Sequence, residues 1–273
     1  MYLPQLSPYA LVLGPLRIHY YSVFMALSIL LGGAYFVREA QRRGLGRDDR
    51  VFDLALATLV GGIVGARLMF VLANDPAWFV SDPLQIVRVY QGGLSWHGAV
   101  AGGLLAAGLY VRSHPMRLNP LLDLVVPGAA IGYTLVRIGN IFNHEVLGRE
   151  TAFFFGRWPA QLVGAAIGLA LLIRYFARER PDLAAGDQWW SFLVYHTVLR
   201  AVFEESVRDN PLYLIHVRSP IWGVGFTTMT QLATPLILAI AVPLWLRARR
   251  VGESRVGPEA EVAAGVRMPE PAS

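Results

Sequence analysis

Long apolar runs alternate with short polar breaks along this chain, and the runs are too continuous for helices that keep one face in water. A helix needs about 20 mostly apolar residues to cross a hydrocarbon core. Seven segments approach or reach that length: 18–38, 51–73, 96–112, 120–142, 159–177, 188–204 and 228–246. Small residues recur in them, as in "VGGIVGA", "GAVAGGLLAAG" and "VGAAIG". These are read as packing surfaces where helices approach closely in lipid. No internal repeat is evident. The pattern predicts an all-α polytopic membrane protein with seven transmembrane helices.

The polar breaks orient the spans. "REAQRRGLGRDDR" after the first span has five arginines, "RSHPMR" and "RERPD" have two each, and "RARRVGESR" after the last has four. The alternate connections are longer and poorer: Arg88 alone in 74–95, Arg149 and Arg157 in 143–158, Arg208 and Arg218 in 205–227. Cytoplasmic loops collect the positive charge, so the N-terminus is expected outside and the C-terminus in the cytoplasm. Residues 1–248 then form a single transmembrane domain with a small, reduced outer head region. Residues 249–273, rich in Ala, Glu, Pro and Gly, read as a disordered cytoplasmic tail.

Composition agrees and narrows the chemistry. The chain is 55% hydrophobic and 16% charged, with a mean hydropathy of +0.44. It contains no cysteine and no lysine, all 24 basic side chains being arginine. Disulfides, an enzyme-borne thiol nucleophile and lysine Schiff-base chemistry are therefore excluded. The net charge of +5 is explained by arginines in cytoplasmic loops, so nucleic acid is not expected as a partner. The first 17 residues hold three prolines and no basic segment before an apolar stretch, so no cleavable signal peptide is expected.

With orientation assigned, the polar residues inside the spans fall at one depth. Tyr21, Arg67, His97, Arg137 with Asn140, Arg200 with Glu204, and Gln231 place six of the seven spans' polar groups in the outer leaflet. Asn143 and Glu145 follow directly after the fourth span. Arginine within a span costs about 2.5–3.5 kcal/mol on insertion scales, which makes each a functional candidate. Bland readings stand beside that one. Arg174, at a helix end, reads as snorkelling to the headgroups, and Asp53 and Asp123 as helix N-terminal charges. Arg67 reads equally as structural glue paired with Glu145 or Glu204. Arg137 and Arg200 lie further inside their helices. Guanidinium is a planar fork of donors that grips phosphate oxygens in pairs and keeps its charge, and a phospholipid supplies phosphate at that depth. His97 is the one histidine among these groups able to take up a proton near neutral pH, and the glycines of "GGLSWHGAVAGG" allow close approach to it. No group of residues has metal-ligand spacing, and no cofactor is expected.

At these residues the sequence resembles the bacterial prolipoprotein diacylglyceryl transferases. The family signature, roughly G-R-x-G-N-F-x-N-x-E-x-x-G, is matched by "RIGNIFNHEVLG" with Arg137, Gly139, Asn140, Asn143, Glu145 and Gly148 in register. "GGLSWHG" resembles the segment that carries the family's essential histidine, here His97. "LGPLRIHYYSVF" places its functional tyrosine at Tyr21, and "GARLMFVL" includes Arg67. "LRAVFEE" places an essential arginine at Arg200 and a glutamate at Glu204, and "TMTQLATP" gives Gln231. The matches run in order over about residues 10–240.

The resemblance implies a reaction: transfer of the diacylglyceryl group of phosphatidylglycerol to the lipobox cysteine thiol of a prolipoprotein signal peptide, with release of glycerol 1-phosphate. It implies His97, Arg137, Arg200 and Tyr21 as catalytic residues. Asn140, Asn143, Glu145, Gly139, Arg67, Glu204 and Gln231 would bind substrate. Membrane lipids are the surroundings, and the bacterial cytoplasmic (inner) membrane the location. The chain departs from the family before the fifth span, where "RWPAQLVG" replaces Arg-His-Pro-Ser-Gln-Leu-Tyr-Glu, and the link from Gly148 to Arg157 is short. Two other readings stay open here: a divergent paralogue using the phospholipid site on another acceptor, and a non-enzymatic lipid-binding or transport protein.

Overall fold

A computed structural model describes residues 6–14, 16–46, 48–73, 82–87, 95–114, 116–180, 182–213, 217–252 and 254–255. The chain opens on a short antiparallel hairpin, β1 (Tyr9–Leu13) and β2 (Leu16–His19), turned at Gly14 with φ +57°. Among the described residues seven helices longer than two turns follow: α1 (Tyr20–Arg42), α2 (Asp48–Ala73), α3 (Trp96–Ser113), α4 (Leu118–Phe142), α5 (Ala160–Ala177), α6 (Asp187–Leu199) and α7 (Met229–Val251). A second hairpin, β3 (Arg218–Ser219) and β4 (Val224–Gly225), lies between α6 and α7. The helices coincide with the expected spans to within a few residues, whereas the two hairpins are additions. Among the described residues, five helical stretches are long and apolar enough to cross a membrane: Tyr20–Arg42, Asp49–Leu72, Leu118–Phe142, Ala160–Ala177 and Met229–Val251. The protein is thus a mostly helical, multi-pass membrane protein.

The ends of the helices follow local chemistry. After α1, Gly44 turns the chain at φ +62°, and Glu39 pairs with Arg42 at 2.7 Å and Arg43 at 2.8 Å. Thr228 caps α7: its hydroxyl accepts from the Gln231 amide N–H while the Gln231 side chain accepts from the Thr228 N–H. This reciprocal box satisfies two donors that a helix start leaves orphaned.

The described residues fall into two compact units, one of residues up to Phe36 with Asn119–Arg255, the other Val37–Leu118. In the second unit α2 and α3 cross on a glycine seam. Gly61 and Gly65 face Gly98 and Gly102, each pair spaced by four as in the small-x-x-x-small pattern of lipid-embedded helices. A Cβ on Gly65 would stand 2.7 Å from Gly102 Cα, and one on Gly102 would stand 2.8 Å from Gly65 Cα. Backbone faces backbone there, so nothing can yield by changing rotamer. Gly65→Val is expected to destabilise the protein by at least the roughly 1–3 kcal/mol typical of overpacking, read as a lower thermal midpoint in detergent.

In the first unit α1 and α4 approach at Gly32 and Gly128, where a Cβ on Gly32 would lie 2.8 Å from Gly128 Cα. Val126, Ala130, Ile167, Leu171, Tyr175 and Phe192 of α4, α5 and α6 form the core. One end of this unit is closed by buried carboxylates. Asp123 is wholly buried and accepts from the Gly186 and Trp189 N–H groups at 2.9 Å each. It therefore caps the start of α6 rather than serving as an N-terminal charge for its own helix. Arg255 also reaches it, at 3.1 Å, and is 4% exposed. Arg174 differs from the snorkelling expectation: it donates to Ser191 Oγ at 2.8 Å and lies 4.4 Å over the Tyr195 ring. Protein partners are available within reach, so the charge has no need of the headgroups.

Candidate active site

The end of α4 carries "RIGNIF", and helical pitch decides what its polar residues meet. Arg137 is 8% exposed despite its charge. Tyr133 and Asn140, four residues before and three after, share its face, and both hold it. The guanidinium stands 4.8 Å over the Tyr133 ring, donates to the Tyr133 hydroxyl at 3.4 Å and to Asn140 Oδ1 at 3.2 Å. Its charge is met by Glu204, wholly buried, at 2.7 Å. The Tyr133 hydroxyl also donates to Glu204, and His196 lies edge-on to the Tyr133 ring. Beyond Arg137, Asn140 donates to Glu145 Oε2 at 3.1 Å, and Gln161 donates to the Glu145 carbonyl at 2.8 Å.

Glycines make room for this arrangement. A Cβ on Gly164 of α5 would come within 2.8 Å of Arg137 Nε, and one on Gly139 within 3.1 Å of Tyr21 Cα. The signature glycine thus sets the approach of α1 to α4 at Tyr21, and Gly164 leaves the space the guanidinium fills.

The second arginine is delivered by a break in helix geometry. At Arg200–Glu204 the end of α6 widens into a π-turn, then closes with one last α turn over Glu205–Val207. Such single π-turns collect at functional sites. This one turns two adjacent carboxylates to different partners. Glu204 meets Arg137, while Glu205, also wholly buried, accepts from Arg200 at 3.3 Å, Arg208 at 3.4 Å and Asn210 at 2.8 Å. Thr228 at the start of α7 also donates to Glu205, at 3.2 Å. Gln231 donates to the Ala201 carbonyl inside the π-turn at 2.9 Å, which compensates the irregular backbone bonding there.

Both guanidiniums keep a donor in hand. Arg137 Nε, Arg200 Nε and Asn143 Oδ1 are buried without a hydrogen-bond partner among the described residues. Two permanent cations held by one π-turn, with inward N–H groups unspent, can bind an anionic phosphate. Past the membrane end, burial pulls the Arg149 guanidinium below its ordinary range against the opposing pull of Asp209.

The sequence-predicted residues divide accordingly. Arg137, Asn140, Glu145 and Glu204 form one connected network, and Arg200 and Gln231 join it through the π-turn. Arg67 belongs to the other unit, where it donates to the Ile86 carbonyl at 2.8 Å and lies over the Phe70 ring. The suggested partner Glu204 is taken by Arg137 instead. His97 stands at the start of α3, two residues after the capping Ser95, and its side chain lies outside the described residues. His144 contacts the Leu6 carbonyl at 3.2 Å.

A sequence model of the family described as Prolipoprotein diacylglyceryl transferase matches residues 8–247. The chain belongs to the prolipoprotein diacylglyceryl transferase family. A relative from Thermoanaerobacter sp. (strain X514), named phosphatidylglycerol–prolipoprotein diacylglyceryl transferase, is 53% identical over 88% of this chain and 93% of its own length. Relatives of the same name from Thermus thermophilus and Chromohalobacter salexigens are 35% and 32% identical, over 83% and 93% of this chain and 93% and 97% of their own lengths. The chain is accordingly a transferase.

Two residues of this diacylglyceryl transferase escaped the sequence reading. Tyr133 is tied to both Arg137 and Glu204, and its position four residues before Arg137 on a helix was the available signal. Glu205 was overshadowed by Glu204, since only the tertiary ion pairs show that the neighbours serve different arginines.

Proposed function

We propose that the protein transfers the diacylglyceryl group of phosphatidylglycerol to the lipobox cysteine thiol of prolipoproteins, forming a thioether and releasing glycerol 1-phosphate. The observation that carries this reading is buried Arg137 and half-buried Arg200, tied through Glu204 and Glu205 to one π-turn, each with a buried Nε–H unspent. In this reading the two arginines hold the headgroup phosphate, and Asn140, Asn143 and Glu145 orient them and the glycerol hydroxyls. The substrate's sulfur attacks the glyceryl carbon that bears the phosphate. The C–O bond breaks, and the arginines stabilise charge gathering on the departing phosphate. The thiol proton passes to His97, and Tyr21 assists the same deprotonation. Seven helices cross the bacterial inner membrane, N-terminus outside and C-terminus in the cytoplasm, so the site serves the outer leaflet.

The test is reconstitution. Purified protein in phosphatidylglycerol vesicles should convert a lipobox peptide to its thioether and release one glycerol phosphate per peptide, and a Cys→Ser peptide should yield neither. Phospholipid binding without peptide modification would sink the reading. His97→Gln is expected to lower the rate by about a hundredfold or more, the scale of a lost general base, with phosphatidylglycerol binding retained.

A further inference from the structure

The connection from α4 to α5 carries a feature that the transferase chemistry leaves unused. "TAFFFGRW" folds into a tight turn whose two sides are bridged by the Glu150–Arg157 ion pair at 2.9 Å. Gly156 closes the turn at φ +71°, and Thr151 N–H donates to its carbonyl at 2.9 Å. The turn is clamped to the loop before α7: Ala152 N–H and the Thr151 hydroxyl both donate to the Ile221 carbonyl, at 3.1 and 2.8 Å. Trp158 Nε1 donates to the Trp222 carbonyl at 2.8 Å. Phe153 packs between these loops, its ring 5.4 Å from Trp222 and 5.5 Å from Phe155.

This rigid ledge presents its apolar groups outward. Phe154 is 101% exposed, Ile221 66% and Trp222 59%. A water-facing turn so firmly clamped has no physical reason to display them. We propose that the ledge is an interfacial anchor, with Phe154, Ile221 and Trp222 seated at the headgroup–acyl boundary of the surrounding phospholipid leaflet.

Depth and shape select that occupant. Arg157 lies three residues before α5 begins at Ala160, so it stays within about 10 Å of the end of a membrane-crossing helix. Apolar exposure continues into that helix at Leu162, 47% exposed. Phe154 projects fully exposed at the tip; a peptide partner needs a groove or an edge, whereas a fluid lipid boundary closes around a projecting ring. Aromatic side chains flanked by arginine are the side chains that settle at this boundary.

The protein's lack of cysteine makes the test direct. Phe154→Cys, labelled with an environment-sensitive nitrobenzoxadiazole dye, is reconstituted in phosphatidylglycerol-containing vesicles, and Ile221→Cys gives an independent second reading from the facing loop. Retained peptide lipidation certifies that each labelled protein is folded. The expected result is blue-shifted emission, strongly quenched by shallow doxyl-labelled lipid and weakly by aqueous iodide. Strong iodide quenching with no lipid quenching would overturn the proposal, as would insensitivity to both. A response that appears only when lipobox peptide is added would overturn it in favour of peptide docking.

Discussion

Arg137→Ala is expected to reduce lipid transfer by about a thousandfold or more while also lowering stability, and the two losses have different causes. The catalytic loss is that of a cation stabilising charge on a departing phosphate in a water-poor site, where removing a single donor already costs about 10²–10³ in rate and removing a charged arginine from a phosphate costs more. The stability loss comes from Glu204. It is wholly buried and pairs with Arg137 at 2.7 Å, so the variant leaves a carboxylate without its cation. Breaking a buried pair from one side costs about 3–5 kcal/mol. Adding Glu204→Gln to Arg137→Ala removes the stranded charge. The double variant should recover a large part of the thermal stability and none of the activity. Recovery of transfer in the double variant would show that Arg137 acts only by balancing Glu204, and would remove it from the phosphate.

How much of this could be read without coordinates depends on the range of the interaction involved. The helices were legible because a hydrocarbon solvent demands long apolar runs, but their ends were less so: α1 runs on to Arg42 and α2 starts at Asp48, both inside the polar stretch "REAQRRGLGRDDR". The glycine seam of α2 and α3 was legible as a packing surface because small residues four apart have few other uses in lipid. The β1–β2 hairpin was not: five residues, "YALVL", are apolar throughout, so no alternation marks them as a strand. Arg137, Asn140 and Glu145 could be placed because they share one stretch of α4 and its exit. Glu204 was placed at the same depth, but its pairing with Arg137 was not legible, because the two are 67 residues apart on different helices. Asp123 shows the same limit, since the α6 amide groups it caps come from 63 and 66 residues away. A π-turn has no composition of its own; "RAVFE" would continue an ordinary helix equally well, and only tertiary partners such as Gln231 stabilise its irregular bonding.

That π-turn yields the second prediction, a contrast between neighbouring carboxylates. On a helix successive residues point about 100° apart, so the neighbours Glu204 and Glu205 face different partners. Here each has its own arginine. Glu204→Gln is expected to loosen Arg137 and Tyr133, both on α4, whereas Glu205→Gln frees Arg200 and Arg208 and weakens the acceptor for Asn210 and for Thr228, the cap of α7. Glu205→Gln should therefore be the more damaging to stability, with about 3–5 kcal/mol as the scale of a broken buried pair, because several elements lose one common anchor. Both variants should weaken phosphatidylglycerol use, but by separable routes. Combining Glu205→Gln with Arg200→Ala should be markedly less than additive in transfer rate, since the pair acts as a unit. Glu205→Gln with Arg137→Ala should be nearer to additive. Rates measured on the four single variants and two doubles decide it: equal coupling of Glu205 to both arginines would mean the π-turn does not divide the charges, and the division of labour drawn from its geometry would fall.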